Sequence, residues 1–291
     1  MSKIGKAFLV TGIIAAVGAV LLAIGIAGGG WDQVLVSPFK LLNNRIEVNA
    51  MNGSFFMDFD VPDGAVLGNA TFDASRADEL VLDLGAIDIS FVESKDGKIN
   101  ISDPNNLIYS YIESGELYLV RKNSNNRKFD NGKVIVEIPA NKSFKSVEID
   151  CGAANVEFEE LIGDEINVNG GAANMEFGKL KCDSIDIDMG AGNFAVSSGD
   201  AGSLDVDLSA GAFSFEGKLN GNADFDCAMG SISLKLDGDE DDFNYDIDGA
   251  LGDIKIGNDT IKGMESYEID NDAAKDITIS CSTGEVTIDF N

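Results

Sequence analysis

Hydrophobic and polar residues alternate along the C-terminal half of the chain, and the alternation recurs every 19 residues. Five segments align without a gap, from EIDCGAANVEF and NVNGGAANMEF onward. The five begin at Glu148, Asn167, Asp186, Asp205 and Asp224. Period-two alternation is typical of half-buried β-strands, and the GAAN or GAGN sequences between two such strands are typical of tight turns. Each unit therefore predicts a strand, a turn and a second strand.

Less regular copies lie on both sides of these five. A sixth unit begins at Asp246, three residues late, because the acidic run DGDEDD at residues 237–242 lengthens the turn before it. A degenerate unit begins at Ile277, and a related segment, VLDLGAIDISF, begins at Val81. From this order we expect the unit that starts at Ile277 to form the last coil.

The repeats predict a stacked architecture. One unit cannot bury its apolar residues alone, whereas equivalent units stacked on one another can. A sandwich of antiparallel hairpins is the alternative, but it does not explain an ungapped period with the same residue types in register. The predicted fold class is all-β, a β-solenoid (β-helix-like) built from 19-residue repeats. It occupies residues 77–291, with regular repeats from about residue 147.

The N-terminal region predicts a transmembrane helix. Residues 7–31 carry no charge, and about 20 apolar residues span the hydrocarbon core of a bilayer. Lys3 and Lys6 precede the segment, so the positive-inside rule places the N-terminus in the cytoplasm and the remainder outside. A cleaved signal peptide is the alternative, with Gly25 and Ala27 as small residues near a cleavage site. Residues 1–31 are thus a predicted cytoplasmic stub and anchor, and residues 32–76 a linker and cap.

The amino-acid composition excludes several classes of function. The chain contains 50 acidic and 21 basic residues, no histidine, and a formal net charge of −29. Without histidine there is no Ser-His-Asp triad and no imidazole metal site. A surface this acidic repels a phosphate backbone, which excludes nucleic acid as a partner.

Acidic residues on the first strands predict a face with two columns of carboxylates. The columns contain six aspartates: Asp186, Asp188, Asp205, Asp207, Asp224 and Asp226. Stacked coils bring equivalent carboxylates to about 4.8 Å, where like charges repel. Weak Ca²⁺ sites along this face would relieve the repulsion, because Ca²⁺ prefers oxygen ligands. A solvated acidic face that keeps the domain soluble is the alternative.

Three further groups of residues invite a chemical interpretation. Residues 237–242 are a second cation candidate, but they depart from an EF-hand loop and fit an exposed acidic turn better. Asn155, Asn174 and Asn193 occupy one turn position in successive units, which predicts hydrogen bonds along a column. The cysteines are Cys151, Cys182, Cys227 and Cys281. With Cys151 and Cys227 four coils apart, they predict neither a disulfide framework nor a thiolate metal site.

The repeat pattern resembles one bacterial family. The segment VIVEIPANKSFKSVEIDCGAANVEFEEL, the repeated GA(A/G)N turns, DGALGDIKI and STGEVTIDF are similar to the DUF4097 family, often labelled "putative adhesin". The resemblance covers roughly residues 77–291. It implies β-strand repeats exported behind an N-terminal transmembrane helix, and it brings no catalytic residues.

Together these features predict a single-pass protein of the bacterial cytoplasmic membrane with an acidic extracytoplasmic β-solenoid. Its expected role is non-catalytic: binding of a cell-surface or envelope ligand, adhesion, or envelope structure. A self-assembling scaffold similar to bactofilin filaments is the first alternative. A polysaccharide-active enzyme is the second, although every coil offers equivalent carboxylates and no catalytic pair stands out.

Overall fold

In the part of the chain that the structure describes, sixteen β-strands form a single hydrogen-bonded sheet. The computed structural model describes residues 61–122, 132–249, 253–262 and 266–291. The strands are β1 (Val66–Leu67), β2 (Ala70–Asp73), β3 (Glu79–Gly85), β4 (Asp88–Ser94), β5 (Lys98–Ser102), β6 (Ile108–Glu113), β7 (Glu116–Arg121), β8 (Lys133–Pro139), β9 (Ser143–Cys151), β10 (Asn155–Leu219), β11 (Ala223–Leu236), β12 (Asn244–Gly249), β13 (Asp253–Ile256), β14 (Asp259–Lys262), β15 (Ser266–Ile269) and β16 (Asp276–Phe290). Two single-turn 3₁₀ helices, Ala74–Arg76 and Glu240–Asp242, interrupt them.

The predicted membrane anchor at residues 7–31 lies outside the described residues. Within the described ranges, no helix is long and apolar enough to cross a bilayer. β1 and β2 fall inside the segment 32–76, and residues 32–60 of that segment are not described.

The chain winds as a solenoid because successive coils pair in parallel at the repeat distance. β10 stays extended from Asn155 to Leu219, which covers several coils without a break. Its start pairs with β9, with Ile166 beside Val147, and its end pairs with β11, with Leu204 beside Ala223. The prediction of an all-β, solenoid-like repeat fold is confirmed, and the sheet is open rather than closed into a barrel.

Stacked apolar side chains from both strands of each coil fill the core. Phenylalanines of the second strands form one column, with ring centroids 4.0 Å apart for Phe91 and Phe158 and 5.2 Å for Phe158 and Phe177. The ring stack then shifts by two residues to Phe194, whose centroid lies 4.9 Å from that of Phe177, and it continues to Phe213 at 5.6 Å. These side chains are at most 2% exposed, so each coil contributes its hydrophobic free energy only when its neighbours are in place.

In the later coils, the tight turns between the strands have glycine at a position where the backbone of the coil before leaves no room for a side chain. Gly192 and Gly211 have φ of 121° and 143°, values that L-residues rarely adopt. A Cβ atom at Gly192 would collide with the backbone carbonyl of Ala173 in the coil before, and one at Gly211 with that of Gly192. The turns therefore pack backbone against backbone.

The order of coils at the C-terminal end differs from the expectation. β16 pairs with β11 on one side, with Phe225 beside Ile279, and with β12 on the other, with Ile247 beside Ile279. The expectation that the unit from Ile277 forms the last coil is therefore wrong. β16 pairs with β11 along almost its whole length, whereas β12 and β13 are shorter. The longer strand β16 therefore lies between β11 and the shorter pair β12 and β13.

An equivalent excursion occurs at the N-terminal end. β3 and β4 stack directly on β9 and the start of β10, with Phe91 beside Phe158. β7 and β8, which come later in the chain, pair on the outer side of β3 and β4. Antiparallel strands complete both ends: β6, β1, β5 and β2 at one, β15 and β14 at the other. Short terminal strands limit edge-to-edge aggregation of an open sheet.

Replacing Phe213 with Asp tests the stacked core. A charge placed among Phe194, Phe225 and the rest of the column has no partner, and the ring's packing is lost as well. We expect a loss of about 4 kcal/mol or more in the free energy of unfolding, measured by urea denaturation. Ser214→Asp is the matched control on the opposite side of the same strand, with an expected change below about 0.5 kcal/mol. Equal losses in both variants would contradict the assignment of faces.

Candidate functional site

The most distinctive surface is the outward side of the first strands, which we call the acidic face. Parallel register places Asp205 beside Asp224 and Asp207 beside Asp226. Asp186 and Asp188 lie one repeat earlier in the same columns, and Asp205 acts electrostatically on Asp186. The acidic face therefore comprises the six predicted residues: Asp186, Asp188, Asp205, Asp207, Asp224 and Asp226. The structure brings all six together as three rungs of two.

Neutral polar residues border the acidic face on both sides. On the N-terminal side, Asn167 and Asn169 of β10 lie beside Glu148 and Asp150. On the C-terminal side, the insertion of β16 places Thr278 beside Asp224 and Ser280 beside Asp226. The insertion thus separates the acidic face from Asp246 and Asp248 of β12, which pair with Thr278 and Ser280. The sequence order alone would have extended the acid columns directly to β12.

Basic side chains neutralise carboxylates elsewhere but not on the acidic face. Within the described ranges, five ion pairs form at N–O distances of 2.6–3.8 Å. They are Lys133–Glu157, Lys145–Asp78, Lys181–Asp200, Lys235–Glu216 and Lys255–Asp289. None of the six aspartates takes part in these pairs, so the acidic face keeps its charge for solvent ions or a partner.

Partial burial, together with the crowding of carboxylates, raises the proton affinity of this face. Partial burial, followed by repulsion from Asp226, Asp188 and other aspartates, raises the pKa of Asp207 to about 6. Burial and neighbouring aspartates likewise raise the pKa values of Asp186 and Asp224. Keeping these aspartates ionised therefore costs free energy, and protonation or a bound cation would lower that cost.

A smaller acidic pair lies beyond the neutral rung at the N-terminal end. Asp83 of β3 lies beside Asp150 of β9. Burial, then the charge of Asp150, raises the pKa of Asp83 to about 6, and burial also raises the pKa of Asp150. Asp83 is not among the residues predicted from the sequence. Aligning VLDLGAIDISF with EIDCGAANVEF would have placed Asp83 in the column of Asp150.

The prediction of Ca²⁺ on the acidic face stays a prediction. Among the described residues, no group of three or more acidic or cysteine side chains converges closely enough to hold a metal ion. The carboxylates form a flat ladder rather than a cage. Cation binding here would therefore be diffuse or shared with a partner's ligands.

The other candidate groups have structural roles. Asn174 donates from Nδ2 to Asn155 at 3.1 Å, and Asn193 donates to Asn174 at 3.2 Å, which confirms the predicted column of hydrogen bonds. Within residues 237–242, a 3₁₀ turn forms and the backbone N–H of Asp239 donates to the carboxylate of Asp242. The segment is therefore an exposed acidic turn, as its sequence indicates, rather than an EF-hand loop.

Coils stacked in parallel around a phenylalanine column define the class: an all-β, solenoid-like repeat protein with one unneutralised face. The chain belongs to the DUF4097 family, whose model, described as Toastrack DUF4097, matches residues 77–217 and 159–289. The resemblance inferred from the repeats is confirmed. No curated protein matches the sequence significantly.

Several solved structures match this chain at low sequence identity. A "putative adhesin" from Parabacteroides distasonis is 16% identical, with a TM-score of 0.43, over 78% of this chain and 98% of that one. A "putative adhesin" from Bacteroides fragilis is 13% identical, with a TM-score of 0.41, over 78% and 98%. A "putative cell adhesion protein" from Clostridium sporogenes is 12% identical, with a TM-score of 0.32, over 78% and 100%. These similarities are too distant to indicate a function for this chain, so its function is inferred from its own surface.

Replacing Asp207 with Asn tests the electrostatic strain of the acidic face. Because the pKa of Asp207 is higher in the folded than in the unfolded state, its contribution to stability falls as pH rises from about 4 to about 6. We expect Asp207→Asn to be more stable than the parent at pH 7, by up to about 1 kcal/mol after solvent screening, and equal to it near pH 4. Urea denaturation at both pH values measures this.

Asp78→Asn is the control of opposite sign. Lys145 lies 3.0 Å from Asp78 and lowers the pKa of its carboxyl, so this variant should lose stability at pH 7. Loss of stability at pH 7 in Asp207→Asn as well would show that the aspartates of the acidic face do not repel one another.

Proposed function

We propose that the protein is a non-catalytic binding protein of the bacterial envelope whose acidic face contacts a cationic partner. The observation that carries the proposal is the contrast in charge pairing. Described lysines neutralise carboxylates on other surfaces, whereas six aspartates in three adjacent rungs have no basic partner in the described part of the chain.

The geometry of the acidic face suits an extended partner better than a small molecule. Hydrogen-bonded strands fix successive rungs about 4.8 Å apart, so the charges are already in place before binding. A basic segment lying across the rungs would neutralise several carboxylates at once. It would relieve the repulsion that adds to the effect of burial on the pKa of Asp207. The net charge of −29 would also accelerate encounter with such a partner.

Among the described residues no catalytic constellation stands out, and this supports a binding role. Equivalent carboxylates recur in every rung, and no pair among the six differs from the others in chemistry. The scaffold alternative receives less support, because both ends of the sheet finish in short antiparallel strands rather than in a full coil that a second copy could extend. Binding along the side of the domain remains the better account.

Binding to a cationic polymer tests the proposal directly. We expect the protein to bind oligolysine with an affinity that falls as salt rises, because exposed charges are screened. A variant with Asp205→Asn, Asp207→Asn and Asp226→Asn should bind about tenfold more weakly in calorimetric titration. This loss corresponds to roughly 1.4 kcal/mol, or about 0.5 kcal/mol for each charge removed.

A charge-matched variant separates the acidic face from net charge. Glu176→Gln, Asp183→Asn and Asp241→Asn remove three exposed carboxylates from outside the acidic face. We expect this variant to retain nearly the parent affinity. Equal weakening in both variants would contradict a site on the acidic face. Repeating the titration with added Ca²⁺ tests the cation prediction, since ions bound to the ladder would compete with oligolysine.

The proposed location rests on the apolar segment at residues 7–31 and on Lys3 and Lys6 before it. We propose a cytoplasmic N-terminus and an extracytoplasmic repeat domain. Protease added to intact spheroplasts should digest the repeat domain without lysis. Protection until lysis would place the domain inside and remove the envelope role. The mass of the mature chain distinguishes a retained anchor from a cleaved signal peptide.

A further inference from the structure

Two cysteines that are distant in sequence become neighbours in the core. Cys227 of β11 and Cys281 of β16 are register partners on adjacent parallel strands. Their neighbourhood follows from the insertion of β16 between β11 and β12, which the order of repeats along the chain does not reveal. All four cysteines are free in the structure. The large separation that argues against a disulfide applies to Cys151 and Cys227, but not to Cys227 and Cys281.

The geometry of the pair is compatible with a covalent bond. Adjacent strands lie about 4.8 Å apart, within the range of roughly 4.4–6.8 Å between Cα atoms that disulfides adopt. Cys227 is 3% and Cys281 5% exposed, so both side chains lie in the core on adjacent strands. Three residues further on, Gly230 and Gly284 pack backbone against backbone, which draws the two coils together beside the pair.

The other two cysteines lack such a neighbour. Cys151 is in register with Gly85 on one side and Gly170 on the other. Cys182 lies in another part of the coil and is buried. The chain contains four cysteines in all, so Cys227 and Cys281 form the one neighbouring pair.

We propose that Cys227 and Cys281 form a disulfide that fastens β16 into the sheet when the chain folds in an oxidising compartment. The oxidant is a second disulfide, either a small molecule such as oxidised glutathione or a protein. One thiolate attacks that disulfide, a mixed disulfide forms, and the second thiolate displaces the remaining thiol. Two protein thiols are oxidised to one disulfide, and the oxidant disulfide that they attack is reduced to two thiols. Formation of this disulfide in the cell depends on the extracytoplasmic location proposed above. The choice of Cys227 and Cys281 as partners depends only on their register.

The position of the pair gives the bond a structural role. β16 joins β11 to β12 and β13, and these outer strands in turn hold β15 and β14. Detachment of β16 would therefore release the whole C-terminal end. A bond between residues 54 positions apart also restricts the unfolded chain.

Because Cys227 and Cys281 are buried in the folded protein, we expect the disulfide to form during folding rather than by thiol–disulfide exchange afterwards. Removal from water, then the neighbouring Cys281, raises the pKa of the Cys227 thiol to about 12. The thiolate is the reactive form, so a folded, protonated pair exchanges slowly. We infer a persistent bond that resists reduction once the coil has closed.

Peptide mapping of the full-length protein tests the proposal without any substitution. The chain is unfolded in denaturant with detergent, refolded with oxidised and reduced glutathione, and its free thiols are alkylated. Trypsin then places the four cysteines on four peptides: residues 146–179, 182–218, 219–235 and 276–291. We expect peptide 219–235 linked to peptide 276–291 within monomers, and the other two alkylated. The oxidised protein should melt roughly 5–15 °C above the protein refolded with dithiothreitol.

Matched variants identify the source of the shift. Cys227→Ala and Cys281→Ala should each abolish the difference in melting temperature between oxidised and reduced protein, whereas Cys182→Ala should retain it. Alkylation of all four cysteines after refolding with glutathione would overturn the proposal. A mixture of pairings without preference for these two peptides, or an oxidised form that melts below the reduced form, would also overturn it. Because the mapping is done in vitro, these outcomes are independent of the location and of the cationic partner.

Discussion

Parallel pairing at a fixed 19-residue offset is the interaction on which the rest of the structure depends. Each residue lies beside its equivalent in the next coil, so side chains of one type form columns through the domain. The same register stacks phenylalanines in the core, joins asparagines in the turns and sets aspartates side by side on the surface. The first two columns stabilise the fold, whereas the third concentrates charge of one sign.

Register also explains where the charge is neutralised. Lys235 contacts Glu216 because the two residues are one repeat apart on the second strands. On the first strands the corresponding positions hold aspartates in three successive rungs, and the described ion pairs lie elsewhere. Hydrogen bonds along the sheet prevent these carboxylates from moving apart. The acidic face is thus a rigid array of charge, which favours a partner that brings opposite charge along the same direction.

Sequence patterns predicted the repeated interior of the fold well but not its ends. Alternation in EIDCGAANVEF and its copies defined the faces of each strand, and the fixed period defined their register. The period does not specify which coil lies beside which once the chain leaves it, as it does after Leu236. The pairing of Cys227 with Cys281, and the placement of Thr278 between Asp224 and Asp246, depend on that choice.

The candidate site was predictable to the extent that it follows from register. All six aspartates were identified because equivalent positions must stack. Asp83 was missed because an excursion through β5–β8 separates its coil from the regular repeats. The neutral borders of the acidic face were missed for the same reason at the other end. A repeat pattern does not specify the ligand or the cellular location. The proposals for these two come from the charge of the acidic face and from the N-terminal apolar segment.

The most direct measurement of the central claim is the carboxyl pKa of Asp207, followed by ¹³C nuclear magnetic resonance through a pH titration of the protein. Stacked rungs predict a midpoint near 6, because burial and the neighbouring aspartates oppose ionisation. A midpoint at the ordinary aspartate value of about 4 would contradict the account. It would mean that the carboxylates are solvated independently and that the acidic face stores no repulsion for a partner to relieve.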